Sequence, residues 1–138
     1  MTVTSPSRSA PSLERARLVV GCGPTARGLV SRFVAALAAQ ADLPLDRMEE
    51  ACLVAETIAD RCHEVAACGE LELAVTVVPG RLDLRVGPLN AGAAGRILGA
   101  DRGRPGDLIR ALATSVSVRP ARGGTEVVRV VVTVHEGP

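Results

Sequence analysis

The sequence predicts an α+β fold, a two-layer sandwich with helices on one face of a mixed, mostly antiparallel sheet. Three observations predict it. Hydrophobic residues recur at helical spacing in two early blocks and then switch to strict alternation in later ones. The resulting order is one strand, two helices, a hairpin, a Gly-rich segment, a short helix and a closing hairpin, which layers helices against a sheet. At 138 residues and 47% hydrophobic content, the chain fits one domain that hides roughly two thirds of its unfolded surface. We therefore divide it into a loose tail over residues 1–12 and one domain over residues 13–138.

Each element has its own local reason. Residues 1–12 are rich in Ser, Pro and Thr and poor in large apolar groups, so they cannot offset their ordering entropy. Ala16-Arg17-Leu18-Val19-Val20 is a short β-favouring run that Gly21-Cys22-Gly23-Pro24 closes. Pro24 and Thr25 open a helix, in which Leu29, Phe33, Val34, Leu37 and Ala41 form the predicted core stripe. After Asp42-Leu43-Pro44 a second helix is expected over residues 45–67, with Asp46, Glu49 and Glu50 near the favourable end of its dipole and Gly69 as its stop.

The period then becomes two. Leu71, Leu73, Val75 and Val77 alternate with polar or small residues, Pro79-Gly80 turns the chain, and Leu82, Leu84 and Val86 make the antiparallel mate. A Gly-rich segment is expected over residues 87–107, with a helical turn near Arg96-Ile97-Leu98. Asp107 is placed to cap a short helix over residues 108–114. Val116 and Val118 begin a strand, residues 120–124 turn it, and the Val-rich residues 126–134 close the sheet.

Composition excludes several function classes. Sixteen basic residues against fifteen acidic ones leave a net charge of +1, too little for a long-range field that gathers nucleic acid. All sixteen are Arg, and with abundant Ala, Gly, Val and Pro this points to a GC-rich genome such as an actinobacterial one. No apolar stretch is long enough to span a bilayer, and residues 1–11 lack the apolar region of a signal peptide. Cytoplasmic residence is the expectation. Cys22, Cys52, Cys62 and Cys68 follow no CxxC spacing and sit among apolar residues, so buried, reduced thiols are expected.

Chemistry concentrates on the second helix. Cys52, Glu56, Asp60 and His63 fall at i, i+4, i+8 and i+11 and so share one stripe. Two carboxylates one turn apart suit a divalent ion, or a base beside a metal ligand. The same spacing also describes a solvated face in which Arg61 and Glu64 take part. Gly87-Pro88-Leu89-Asn90-Ala91-Gly92 follows a strand, as a phosphate-cradling loop does, yet it matches neither GxxxxGK[ST] nor GxGxxG. Without Lys a P-loop is excluded. Gly103-Arg104-Pro105-Gly106 offers a second loop of backbone donors. Neither His63 nor His135 belongs to a recognisable triad.

Over residues 13–134 this element order, the helix stripe and the two loops resemble the anti-sigma-factor serine kinases of the GHKL (Bergerat-fold, histidine-kinase-like) ATPase superfamily. That family carries a segment like E-L-V-T-N-A-V on its second helix, matched here by Glu56-Thr57-Ile58-Ala59-Asp60-Arg61-Cys62. The resemblance implies that Glu56 polarises a substrate serine and that Asp60 holds Mg²⁺ in place of the family's Asn. It implies further that Asn90 and Gly92 stand where a D-x-G-x-G loop binds adenine, and that Gly103 and Gly106 echo the lid over the phosphates. The adenine-binding Asp has no counterpart in Leu84-Arg85-Val86-Gly87-Pro88-Leu89-Asn90, and Pro88 removes a donor.

The expected function is therefore that of an anti-sigma-like regulator that grips a sigma factor, a STAS-type anti-anti-sigma protein or both, with ATP and Mg²⁺ binding weak or lost and enzymatic activity left open. The partners implied exclude nucleic acid and membranes and include a second copy of the chain, since relatives in that family form dimers. An active serine kinase that retains Glu56 and Asp60 and a binding module of other lineage are the alternatives.

Overall fold

The computed structural model describes residues 14–97 and 114–134. The tail over residues 1–12, the loop carrying Gly103 and Gly106, and all but the last residue of the helix expected at 108–114 lie outside them.

β1 (Glu14–Gly21) leads through Cys22 to Pro24 into α1 (Ala26–Gln40), α2 (Leu45–Asp60) and the single-turn α3 (Cys62–Val65). The hairpin of β2 (Glu70–Val78) and β3 (Arg81–Leu89) follows, then α4 (Ala93–Ile97), β4 (Ser115–Pro120), a 3₁₀ turn at Arg122–Gly124 and β5 (Glu126–Thr133). The five strands form one sheet in the order β1-β2-β3-β5-β4. Its neighbours are antiparallel throughout. The expected mixture of directions survives only at second hand: β4 runs parallel to β3, but β5 is inserted between them, so no parallel pair forms.

The class is α+β. Leu71, Leu73, Val75 and Val77 of β2, Leu82, Leu84 and Val86 of β3, and Val128, Val130 and Val132 of β5 share one face and join one aliphatic cluster with the buried sides of α1 and α2. Burying each such side chain contributes roughly 1.5–3 kcal/mol. The stripe of α1 that enters this core is Ala26, Val30, Val34, Leu37 and Ala38. Two of the residues expected there face outwards or partly so: Leu29 is 47% exposed, and Phe33 is only partly buried. Small side chains face inwards because α1 packs closely on both α2 and the sheet.

Gly80, at φ +78°, turns the β2–β3 hairpin, a backbone conformation that L side chains seldom adopt. It also ties three elements together: its N–H donates to the Ala41 carbonyl at 2.7 Å, and its own carbonyl accepts from Val134 N–H at 2.9 Å.

Three expectations are corrected. The helix predicted over residues 45–67 breaks at Arg61 (φ −100°, ψ 12°). Beyond the break, the chain must meet the end of β3: Asn90 N–H donates to Val65 O at 2.8 Å, and Ala67 N–H to Pro88 O at 2.9 Å. Tertiary hydrogen bonds outweigh the helical pattern there. The strand expected to end at Val86 continues to Leu89 through a register shift between Val86 and Leu89. A bulge of this kind tolerates Pro88, whose missing N–H would break a regular ladder. Finally, Cys22 and Cys62 form a disulfide with a Cα separation of 5.4 Å. The four thiols are thus not all reduced; Cys52 is free and half-buried, and Cys68 is free and exposed. The bonded pair lies 40 positions apart in the chain, so only the fold brings them together.

Candidate functional site

α1 and α2 pack as an antiparallel pair, and residues four apart lie on one side of each helix. As α1 presents Arg27, then Ser31, then Ala35, α2 presents Glu56 with Asp60, then Cys52, then Met48. The stripe expected on α2 therefore exists as far as Asp60. His63 has left it, because it lies past the break at Arg61 and is exposed in α3.

The centre of the arrangement is Arg27. Its Nη1 donates to Asp60 Oδ2 at 2.9 Å and its Nη2 to Glu56 Oε1 at 3.1 Å. Arg27 is the second residue of α1, at the positive end of that helix's dipole, where no acidic residue of α1 itself stands. Two carboxylates from the facing helix supply the compensating charge. Glu56 is the better shielded of them, its side chain 17% exposed against 46% for Asp60. Arg61 and Glu64, expected as part of a solvated face, pair with each other at 2.7 Å. That guanidinium holds the Glu64 carboxyl below its ordinary range.

Cys52 sits one turn before Glu56, its Sγ 3.6 Å from the Ser31 carbonyl. Burial pushes its thiol above the ordinary range, and the negative charge of Glu56 pushes it further. It is thus a poor nucleophile at neutral pH. At the Arg27 end of the helix pair, the Cys22–Cys62 disulfide fastens the approach to α1 onto α3, just past the end of α2. Cys22 N–H also donates to Gly69 O at 2.9 Å.

The glycine-bearing loop after β3 is anchored elsewhere. Asn90 Nδ2 donates to Ala66 O at 3.4 Å, Gly92 takes φ +81°, and Ala94 N–H donates to Glu126 Oε1 at 3.2 Å. Among the described residues no hydrogen bond or ion pair joins Asn90 or Gly92 to Glu56 or Asp60. Gly103 and Gly106 fall outside those residues. The structure thus brings Glu56 and Asp60 together and leaves Asn90 and Gly92 in a separate cluster with Ala66 and Glu126.

Mg²⁺ wants a near-octahedral shell of oxygens, with one or two carboxylates and substrate phosphates supplying part of it. In the observed arrangement Asp60 and Glu56 are each occupied by a guanidinium that already carries the charge a metal would bring. Among the described residues no group of three or more His, Cys, Asp or Glu side chains assembles. A metal at this position would have to compete with the Arg27 guanidinium for Glu56 Oε1 and Asp60 Oδ2.

The sequence reading missed Arg27. Its signal was a cation in the first turn of a helix with no acid beside it, a placement that calls for a partner on another element. Compared with known proteins, the chain matches no family model, and no curated protein matches it. Among the described residues no helix is long and apolar enough to cross a membrane.

Proposed function

We propose that this protein is an anti-sigma-like regulator of Bergerat-type fold that acts in the cytoplasm by binding a sigma factor, a STAS-type anti-anti-sigma protein or both, without relying on ATP. One observation carries the loss of nucleotide dependence. The residue matched to the catalytic base, Glu56, and the residue matched to the Mg²⁺ ligand, Asp60, are both held by Arg27. A half-exposed ion pair of this kind links α1 to α2 and suits a binding surface, whereas phosphoryl transfer calls on the same carboxylates for a metal and a hydroxyl. Support for binding comes from the apolar groove beside the cluster, lined by Ala35, Met48, Cys52 and Leu53. Leu29 and Leu45 stand exposed on the same helix pair.

Capture of partners from the source organism's lysate on tagged protein, with and without Mg²⁺-ATP and identified by mass spectrometry, tests this reading. Recovery of a sigma factor or STAS-domain protein in both conditions is the expected result. Recovery of neither overturns the regulatory reading, and recovery only with Mg²⁺-ATP favours the serine-kinase alternative. The substitution Glu56→Ala separates the two again: a binder keeps its complex within about threefold, under ~1 kcal/mol, whereas a kinase stops phosphorylating its partner.

A further inference from the structure

Helices cover one face of the sheet, and the opposite face follows from strand alternation and register. Its central row runs Arg17, Ala74, Arg85, Arg129 and Ser117 across β1, β2, β3, β5 and β4. The adjacent row runs Arg15, Thr76, Asp83, Val131 and Ser115. By the same alternation Arg81 and Arg119 also point to this side. Six arginines thus share a face with three carboxylates, Glu70, Glu72 and Asp83. The whole chain carries only +1, so positive charge is concentrated here, while α2 carries Asp46, Glu49, Glu50, Glu56 and Asp60 on the other layer.

The pairings divide these arginines. Arg17 pairs with Glu72, and Arg129 grips Asp83 with Nε at 3.0 Å and Nη2 at 2.6 Å. Arg81 approaches the same carboxylate at 3.8 Å. Arg15, Arg85 and Arg119 have no acidic partner among the described residues. Arg85 moreover lies directly opposite Arg129, and like charges in that position destabilise a sheet. Two shallow depressions meet at Ala74 and Arg85 and are floored by Ala74, Thr76 and Gly87. These small residues leave room for backbone between Arg17 and Arg85, which stand two strand spacings apart, about 9–10 Å.

We propose that the open sheet face docks an extended acidic segment of a partner protein, with Arg85 at its centre and Arg15 and Arg119 toward its ends. A carboxylate over Arg85 relieves the cross-strand repulsion with Arg129, and further carboxylates along the segment meet Arg15 and Arg119 on the flanking strands. Nucleic acid fits less well, because Glu72 and Asp83 flank the central row on either side and the chain's one aromatic residue, Phe33, lies on α1 and offers this face no base-stacking platform. A second copy would set arginine against arginine.

The proposal deepens the partner-binding reading by naming a surface and a chemistry, and its test uses defined probes so that the two fail separately. Labelled octaglutamate and octathymidylate are titrated into the full chain at low salt, followed by fluorescence anisotropy and amide chemical-shift mapping. The expected result is octaglutamate binding with shifts on β1, β2, β3 and β5, weakened roughly tenfold by Arg85→Glu or Arg15→Glu and unchanged by Arg32→Glu on α1. Arg85→Glu removes a like-charge pair, so it should melt no lower than the parent. Shifts confined to the helices, equal losses from Arg32→Glu, or tighter binding of octathymidylate each overturn the proposal. If the parent captures a sigma factor or STAS protein and Arg85→Glu captures it equally well, the docking face is wrong while the regulatory reading stands.

Discussion

Breaking the Cys22–Cys62 bond should cost this protein much of its thermal stability. The bond closes a loop with a sequence separation of 40, and restricting the unfolded chain over such a loop contributes about 4 kcal/mol in the chain-entropy account. For a domain of this size that corresponds to a fall in Tm of about 12 °C. Cys22→Ser is the cleaner substitution, because Cys62 is 2% exposed and tolerates being left as a small buried thiol better than it would a hydroxyl. Melting followed by far-UV circular dichroism, with and without reductant, provides the assay. Reductant should lower the parent to the Tm of Cys22→Ser and leave the variant unmoved. A parent whose Tm shifts by less than about 2 °C in reductant, with mass spectrometry showing four free thiols beforehand, would refute the pairing.

Three further outcomes follow from the geometry. At Gly87 an added Cβ would lie 2.9 Å from Glu126 O and 3.0 Å from Val127 Cγ2, so Gly87→Ala should push β3 from β5 and cost roughly 1–3 kcal/mol in denaturant unfolding. Asp83, 9% exposed, holds Arg129 away from unshielded conflict with Arg85. Asp83→Asn should therefore destabilise by about 1–3 kcal/mol, and added salt should recover part of the loss by screening the two arginines. In timed alkylation at pH 8 Cys68 should react first and Cys52 slowly, since burial and Glu56 both hold the Cys52 thiol in its protonated form. Peptide mapping reads the order, and faster labelling of Cys52 would remove the electrostatic account of its surroundings.

The parts of the fold legible from the chain were those written in local period. Strict alternation through Leu71–Val77 and Leu82–Val86 marked the β2–β3 hairpin, and Pro79-Gly80 marked its turn. Local rules stop where a residue answers to a distant one. Residues 61–67 read as a continuation of one helix because their pattern is helical, but the chain breaks at Arg61, and past α3 the end of β3 takes the Val65 carbonyl and the Ala67 N–H. Gly87-Pro88 read as a loop because such a pair usually is one, yet β5 lies close enough to continue the ladder. Glu56 and Asp60 were visible as a carboxylate pair. Their occupant, Arg27, was not, because it belongs to another helix, and its one local signal, a cation in a first turn without an acid, does not say which residues it pairs with. The disulfide has the same explanation, as does the opposition of Arg85 to Arg129.

β5 places five valines in the run Glu126–Thr133, broken only by Arg129. Such a segment is a strong template for intermolecular β-pairing when its edge is bare. The topology keeps it internal, between β3 and β4, and the charge of Arg129 interrupts it on the outer side. The shield on one flank is nevertheless thin: β4 is six residues long and almost wholly exposed, and it ends at Pro120. Detachment of β4 alone, far short of global unfolding, would uncover the edge of β5 from Glu126 to Val131. The shelf life of the protein in concentrated solution should therefore be governed by how often that one short strand lets go, and a cross-link holding β4 to β5 should slow aggregation more than an equal gain in stability placed anywhere in the helices.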